Sequence, residues 1–155
     1  MKIVVLENIR SAYNVGAIFR TADATKVDKI YLVGYTPSPT DRFGRVQSEI
    51  KKTSLGASET VAWEHYEKIE EVIELLQQDS IEIIAIEITN HAQSLFDYQP
   101  SDRVAYVLGN EVEGVSEVAL TRADAILKLP MCGEKESLNV SVTAGVVLYY
   151  DVFKQ

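Results

Sequence analysis

Short apolar runs alternate with helical patterns along nearly the whole chain, and this alternation limits the folds it can adopt. Six runs rich in β-branched residues predict strands: KIVVL (2–6), KIYLVG (29–34), TVAW (60–63), IEIIAI (81–86), RVAYVLG (103–109) and AILKLP (125–130). Strands that alternate with helices pair in parallel, because each helix carries the chain back across the sheet. We therefore predict an α/β fold in which a parallel sheet is flanked by helices on both faces.

The clearest helical pattern spans residues 65–78, where apolar side chains recur at helical spacing. Further helices are predicted at 16–25, about 42–53, 115–122 and 138–153, with a short turn near 93–97.

Three residues in or just before the last predicted helix, Ser137, Asn139 and Gly145, call for an explanation. Ser137 is predicted to cap a helix that begins at Leu138. Capping does not also explain Asn139, because an amide in a first helical turn lowers helix propensity. Gly145 lies in mid-helix, where glycine costs about 1 kcal/mol relative to alanine. We therefore expect a close packing contact at Gly145.

Length and composition narrow the class of protein. A chain of 155 residues, 46% of them hydrophobic and 25% charged, is predicted to form one globular domain. The single cysteine, Cys132, excludes an internal disulfide and favours a reducing compartment. No apolar run approaches the ~20 residues of a membrane span, and the one at the N-terminus is too short for a signal peptide. We therefore expect a cytoplasmic protein that binds no membrane.

Several familiar kinds of site are missing from the sequence. There is no G-x-G-x-x-G after the first strand, no phosphate-binding loop of the G-x-x-x-x-G-K type and no G-x-S-x-G elbow. His65 and His91 are isolated, and with one cysteine they predict no zinc or other metal site. Cys132 has no neighbouring histidine in the sequence, which disfavours a nucleophilic role.

The charge of the chain is uneven. The net charge is −8, yet residues 8–55 carry eight Lys or Arg residues against four acids, whereas residues 64–82 carry seven acids against Lys68. A local basic surface attracts phosphate groups even on an acidic protein. Ordinary variation of charge along a solvated surface explains the same pattern, so charge alone leaves both interpretations open.

Polar or glycine-bearing loops follow four of the predicted strands. They are ENIRSAYNVGAIFR (7–20), Glu87-Ile88-Thr89, GNEVEG (109–114) and MCGEKESLN (131–139). Ligands of parallel α/β sheets bind beyond the carboxyl ends of the strands. These loops are therefore the candidate site.

Three motifs in these loops resemble those of the SpoU/TrmH branch of the SPOUT RNA methyltransferases. They are N-x5-N-x-G-x3-R from Asn8, LGNE-x-x-G from Leu108 and LPM-x-G-x3-SLNVSV from Leu129. KKTSLGASETVAW (51–63) also resembles a segment of that family. The similarity runs from Asn8 to Tyr150, in the order and spacing of the family.

The resemblance implies a fold, a cofactor and a partner. It implies a deep C-terminal trefoil knot, a single SPOUT domain over residues 1–155 without a separate RNA-binding domain, and a homodimer. The implied reaction is methyl transfer from S-adenosylmethionine to a ribose 2′-hydroxyl of tRNA or rRNA. The implied cofactor-binding residues are Glu87, Ile88, Thr89, Leu108, Gly109, Asn110, Glu111, Gly114, Leu129, Met131, Ser137 and Leu138.

The resemblance also implies catalytic roles. Arg20 matches the catalytic arginine, which we expect to act as an electrostatic clamp on the 2′-oxygen and the adjacent phosphate. Asn14 is expected to hold ribose or phosphate, and Glu111 to orient Arg20 or Asn14. Ser137 and Asn139 are expected to complete the site by hydrogen bonds.

We expect RNA to approach the basic region near Gly16. The candidate RNA contacts are Asn8, Arg10, Arg42, Arg45, Lys51 and Lys52. First-motif residues are expected to lie close to the partner's cofactor pocket. Two alternatives remain: a module of this fold that binds RNA or cofactor without catalysis, and a methyltransferase that acts on another RNA atom.

Overall fold

A seven-stranded parallel sheet forms the centre of the protein in a computed structural model, which describes residues 1–154. The strands are β1 (Lys2–Glu7), β2 (Lys29–Val33), β3 (Ala62–Tyr66), β4 (Glu82–Ile86), β5 (Gln93–Ser94), β6 (Val104–Leu108) and β7 (Ala125–Lys128). The helices are α1 (Ala12–Ala24), α2 (Ser48–Ser54), α3 (Ala57–Thr60), α4 (Ile69–Gln78), α5 (Glu117–Arg122) and α6 (Val140–Lys154), with a 3-10 turn at Leu95–Asp97. Every strand pair among the described residues is parallel, which confirms the predicted fold class.

Both faces of the sheet are buried. Alternate residues of β1 point to opposite faces: Val4 and Leu6 pack with α1, α2, α3 and α6, whereas Ile3 and Val5 pack with α4 and α5. Because side chains on both faces leave water, the strands consist of almost continuous apolar residues rather than an alternating pattern.

The strand order is β3-β2-β1-β6-β4-β7-β5, so two late strands, β6 and β7, insert between strands that come earlier in the chain. β6 lies between β1 and β4, and β7 lies between β4 and β5. This order places the carboxyl ends of β4, β6 and β7 at one edge of the sheet, and the loops that follow these strands therefore meet there.

Three predicted helix starts were wrong by four or more residues. The helix predicted at 16–25 begins at Ala12, directly after its cap Ser11. The helix predicted at 65–78 begins at Ile69, because residues up to Tyr66 continue β3, where His65 pairs in register with Leu32 of β2. The helix predicted at about 42–53 begins at Ser48. The residues before it form a loop closed by a bridge between Thr40 and Val46, whose pairing competes with helix formation.

The predicted cap of the last helix was also wrong. Helix α6 begins at Val140, and its first turn is capped by Asn139, whose Oδ1 accepts a hydrogen bond from the Ser141 amide at 2.8 Å. Asparagine is among the strongest N-caps. Asn139 therefore stabilises α6 because it lies just before the helix, whereas inside the helix its side chain would lower helix propensity.

Two glycines also differ from expectation. At Gly145 an added Cβ would meet no atom of the described residues within 4 Å, so the close contact expected there is absent from the monomer. At Gly16 an added Cβ would lie 1.8 Å from Thr53 Oγ1 and 2.9 Å from the Ile50 carbonyl oxygen. Gly16 therefore allows α1 and α2 to pack closely and does not present open backbone to RNA.

A buried polar cluster joins the two ends of the chain. Lys2 Nζ lies 2.6 Å from Asp151 Oδ2, and the two side chains are only 8% and 1% exposed. Lys2 Nζ also donates to the Thr25 carbonyl oxygen at 3.2 Å, and Tyr106 Oη donates to Asp151 Oδ1 at 2.7 Å. Burial, together with the hydrogen bond to Asp151, raises the pKa of Tyr106 far above its ordinary value, so its hydroxyl stays a donor. The cluster ties α6 to β1 and β6.

No helix in residues 1–154 is long and apolar enough to cross a membrane.

Asp151→Ala should lower the free energy of unfolding by about 3–5 kcal/mol, because the Lys2 ammonium would stay buried without its counter-ion. Urea denaturation followed by circular dichroism measures the change. Glu64→Ala is the matched control: it breaks an ion pair with Lys29 in which the side chains are 48% and 27% exposed, and we expect it to cost less than about 1 kcal/mol. Equal losses in the two variants would contradict the structural role of the cluster.

Candidate functional site

A cavity of about 240 Å³ lies beyond the carboxyl ends of β4, β6 and β7. Its walls are the three loops that follow these strands, and the first turn of α6 closes one side. The lining residues are Ile86, Glu87, Ile88, Leu108, Gly109, Asn110, Glu111, Val112, Glu113, Gly114, Lys128, Leu129, Met131, Ser137, Leu138, Val140 and Thr143. The structure thus brings together eleven of the twelve residues predicted to hold a cofactor; Thr89 is the exception.

A tight turn at residues 110–114 forms one wall of the cavity. The Asn110 amide donates to the Gly114 carbonyl oxygen at 3.1 Å, and the Gly114 amide donates back to Asn110 at 2.9 Å. Gly114 has a φ of +75°, and a Cβ there would lie 2.2 Å from Glu87 Oε2. A Cβ at Gly109 would lie 2.2 Å from the Val115 amide nitrogen. Both positions therefore require glycine.

The Asn110 side chain joins three loops. It is 5% exposed, and its Nδ2 donates to the Asn8 carbonyl oxygen at 2.9 Å and to Tyr35 Oη at 2.6 Å. Its Oδ1 accepts hydrogen bonds from the amides of Val112 and Glu113, both at 2.8 Å. Because the whole amide is used inside the protein, Asn110 shapes the cavity wall.

Two carboxylates anchor the residues just after this turn. Glu87 Oε2 accepts from the Val115 amide at 2.9 Å, and Glu7 Oε2 accepts from the Ser116 amide at 3.0 Å. Glu7 is only 3% exposed. Glu7 was not predicted as a site residue, although an acid at the end of the apolar run KIVVLE was a visible signal. The two carboxylates fix the turn to the ends of β1 and β4.

The rim of the cavity combines apolar and polar groups. Ile88 and Leu138 are apolar yet 48% and 45% exposed. Asn139 Nδ2 donates to Asn14 Oδ1 at 3.2 Å, and this bond joins the start of α6 to α1. The first and third motifs therefore meet at the rim.

A model of the SpoU rRNA methylase family matches residues 1–149 of the chain. The chain belongs to this family. Membership confirms the family resemblance, and it implies the C-terminal trefoil knot predicted from that resemblance.

Known SpoU proteins resemble the chain over nearly all of its length. The 23S rRNA (guanosine-2'-O-)-methyltransferase RlmB of Neisseria meningitidis serogroup B is 31% identical and covers 94% of this chain, which spans 56% of RlmB. The SpoU methyltransferase AviRb of Streptomyces viridochromogenes has a TM-score of 0.87 at 22% identity and covers 99% of this chain, which spans 59% of AviRb. AviRb is also known in complex with AdoMet. This chain thus spans little more than half of these relatives.

A third similar structure is of nearly the same size. A structure reported in connection with the 2-OH methylation of C/U34 on tRNA has a TM-score of 0.83 at 24% identity. The match covers 99% of this chain and 95% of that chain.

Arg20, which we predicted to be the catalytic arginine, lies apart from the cavity. It is exposed and lines a separate depression with Asp23, Leu55 and Thr60. Arg20 lies six residues beyond Asn14, or about 9 Å along the helix axis. Within residues 1–154 its guanidinium has no hydrogen bond or ion pair.

Glu111 was expected to orient Arg20 or Asn14, and the structure places it elsewhere. Its Oε2 accepts a hydrogen bond from the Arg10 amide at 3.2 Å. Glu111 therefore holds the loop that follows β1, and no hydrogen bond or ion pair within residues 1–154 joins it to Arg20.

Thr89 does not line the cavity. Its hydroxyl is buried and has no hydrogen-bond partner within residues 1–154, and its carbonyl oxygen accepts from the Ala92 amide at 3.2 Å. It supports the turn after β4 in this structure.

The residues predicted to contact RNA divide into two groups. Asn8 has a φ of +55°, and its Oδ1 accepts from the Tyr35 amide at 3.3 Å, so it braces two loops. The exposed group is Arg10, Arg42, Arg45, Lys51 and Lys52.

Gly109→Ala should destabilise the SpoU fold by about 1–3 kcal/mol, because the new methyl group meets backbone that cannot move aside. Gly133→Ala is the matched control, since a Cβ there meets no described atom within 4 Å, and it should stay within about 0.5 kcal/mol of the unmodified chain. Urea denaturation measures both. An unchanged midpoint for Gly109→Ala would show that the turn relaxes freely.

Proposed function

We propose that the chain binds S-adenosylmethionine in the cavity and transfers its methyl group to a ribose 2′-hydroxyl of RNA. The observation that carries the proposal is that the second and third SpoU motifs line one cavity and the first motif is hydrogen-bonded to both, through Asn8 to Asn110 and through Asn14 to Asn139. The 2'-O-methyltransferase function of RlmB and the AdoMet complex of AviRb support it.

The lining residues suit the proposed cofactor. Leu108 and Leu129 are buried, and Ile88 and Leu138 are half-exposed, so together they offer an apolar slot for an adenine ring. Gly109 and Gly114 let the turn pack closely against Val115 and Glu87, which fixes the backbone that borders this slot. The cavity of about 240 Å³ is smaller than the ~300–1,000 Å³ of complete ligand pockets. Part of the ligand therefore lies at the rim, near Glu111 and Ser137.

Catalysis requires the chain to position and stabilise a weak nucleophile. The cofactor, when bound, supplies an electrophilic methyl group. The ribose hydroxyl must be held in line with that methyl group, and the negative charge that develops on its oxygen must be stabilised. The Arg20 guanidinium presents a planar fork of N–H donors, which suits an oxyanion beside a phosphate. Asn14 and Ser137 hold the ribose by hydrogen bonds.

The Arg20 that stabilises the 2′-oxygen at one cavity belongs to a second copy of the chain. It faces a depression apart from its own cavity, whereas Asn14 adjoins that cavity. Helix α6 also exposes a stripe of residues at heptad-like spacing: Val142, Gly145, Tyr149 and Val152. Apolar side chains at this spacing, with an open glycine among them, suit close approach of another helix.

We propose tRNA or rRNA as the substrate, contacted by this single domain through the exposed cations Arg10, Arg42, Arg45, Lys51 and Lys52. Methylation of unmodified tRNA and rRNA with labelled cofactor, followed by mapping of alkali-resistant positions, tests the reaction. Base-methyl products without ribose methylation would favour transfer to another RNA atom. Binding without any methylation would favour a non-catalytic module.

Arg20→Ala should abolish methyl transfer and leave cofactor affinity within about twofold, because Arg20 does not line the cavity. Calorimetry measures binding, and incorporation of labelled methyl groups measures transfer. Arg122→Ala is the matched control, because Arg122 pairs with Gln77 on the opposite face of the sheet, and it should keep full activity. Loss of cofactor binding in Arg20→Ala would contradict the proposed role.

Mixing two inactive variants tests whether Arg20 acts across a dimer. Ile88→Arg should block the cavity without disturbing the core, because Ile88 is half-exposed. Co-refolding Ile88→Arg with Arg20→Ala should restore about a quarter of the unmodified activity, since half of the dimers are mixed and each mixed dimer holds one intact site. No restoration, although mass spectrometry shows mixed dimers, would place Arg20 at its own cavity.

A further inference from the structure

The loop between β2 and α2 holds an aromatic ring out in solvent. Thr40 and Val46 pair as an antiparallel bridge, and the Asp41 amide donates to the Arg45 carbonyl oxygen at 3.0 Å. At the tip of this closed loop, Phe43 is 69% exposed. The phenyl ring is not part of the protein core, so packing within the chain does not account for its position.

Asp41 fixes the shape of the loop. Its Oδ1 accepts from the amides of Phe43 at 2.8 Å and Arg45 at 2.9 Å, and its Oδ2 pairs with Arg45 Nε at 2.6 Å. Hydrogen bonding from the Arg45 and Phe43 amides holds the pKa of Asp41 below its ordinary value. The carboxylate is therefore ionised at neutral pH, and the tip is held in one conformation before any ligand arrives.

Two guanidinium groups flank the exposed ring. Arg42 Cζ lies 4.8 Å and Arg45 Cζ 5.3 Å from the centre of the Phe43 ring, both within cation–π range. An exposed ring with two guanidinium groups over it offers stacking for a base, on the ring or on a guanidinium plane, and charge for the neighbouring phosphates. This combination suits unpaired nucleic acid, because bases in a duplex are already stacked.

The loop lies at the same edge of the sheet as the cavity. It follows the carboxyl end of β2, and Tyr35, at its start, accepts a hydrogen bond at its hydroxyl oxygen from Asn110 Nδ2 in the cavity wall. Between the loop and β3 lies an open groove of about 570 Å³, lined in part by Trp63 and His65. A strand of RNA with a ribose at the cavity can thus extend along this edge to Phe43.

We propose that the loop Asp41–Arg45 is a stacking site for an unpaired base of the RNA substrate, with Phe43 as the platform and Arg42 and Arg45 on the adjacent phosphates. The inference rests on the proposed function and specifies its substrate class. The RNA must present an unpaired segment, such as a hairpin loop, next to the methylated nucleotide.

The test is RNA binding without cofactor, measured by fluorescence anisotropy on the full chain at fixed salt. The probes are a labelled oligouridine of about 12 nucleotides and a blunt RNA duplex. Phe43→Ala should weaken oligouridine binding roughly 5- to 150-fold, and Phe43→Trp should retain it. Val46→Ala, which shortens an exposed apolar side chain of the same loop, should bind as the unmodified chain does.

Duplex binding should be unchanged in Phe43→Ala, because a paired base is not free to stack. Equal affinity of Phe43→Ala and Val46→Ala for oligouridine, or no oligouridine binding by the unmodified chain at low salt, would overturn the inference. Methyl transfer is scored separately on unmodified tRNA and rRNA. If the unmodified chain transfers no methyl group but oligouridine binding changes with Phe43 as expected, the proposed reaction is refuted and the stacking site is not. If the rate of methyl transfer is the same in Phe43→Ala as in the unmodified chain, the stacking site is refuted and the proposed reaction is not.

Discussion

The buried ion pair between Lys2 and Asp151 is the contact on which the arrangement of the site depends. It fixes α6 against β1, while Tyr106 holds the same carboxylate from β6. Because α6 is fixed, Asn139 at its start lies beside Asn14 of α1, and the loop before it closes the cavity. Charges that are buried in this way stabilise little by themselves but penalise any arrangement that separates them. The cluster therefore specifies where the last helix docks.

Several polar residues of the loops around the cavity are engaged within the protein itself. Asn110 uses its whole side-chain amide to join three loops, and Glu87 holds the amide of Val115. Internal bonds of this kind set the shape of the loop backbone before a ligand arrives, which reduces the entropy lost on binding. The specificity of such a cavity then depends on exposed backbone and apolar walls, with few side chains committed to the ligand.

Much of the fold and the cavity could be predicted from the sequence, and the errors have physical reasons. Parallel strands were predictable because burial on both faces produces unbroken apolar runs, and the cavity because ligands gather where those runs end. Helix starts were less predictable. The helical pattern of apolar residues begins at residue 65, but His65 pairs with Leu32 of β2 and so belongs to β3. Glu7 was missed because its partner, Ser116, is 109 residues away in sequence. The position of Arg20 apart from the cavity depends on packing that no local pattern encodes.

The contact between Lys2 and Asp151 also has a kinetic consequence. It joins the second residue to one near the end of the chain, across almost the longest sequence separation available. Contacts of this kind close the largest loops and therefore form late, which slows folding. Interactions that are absent from the folding transition state act mainly on the unfolding rate. The same pair that delays completion of the fold thus prolongs its lifetime, and a site assembled by the last helix persists as long as that helix stays docked.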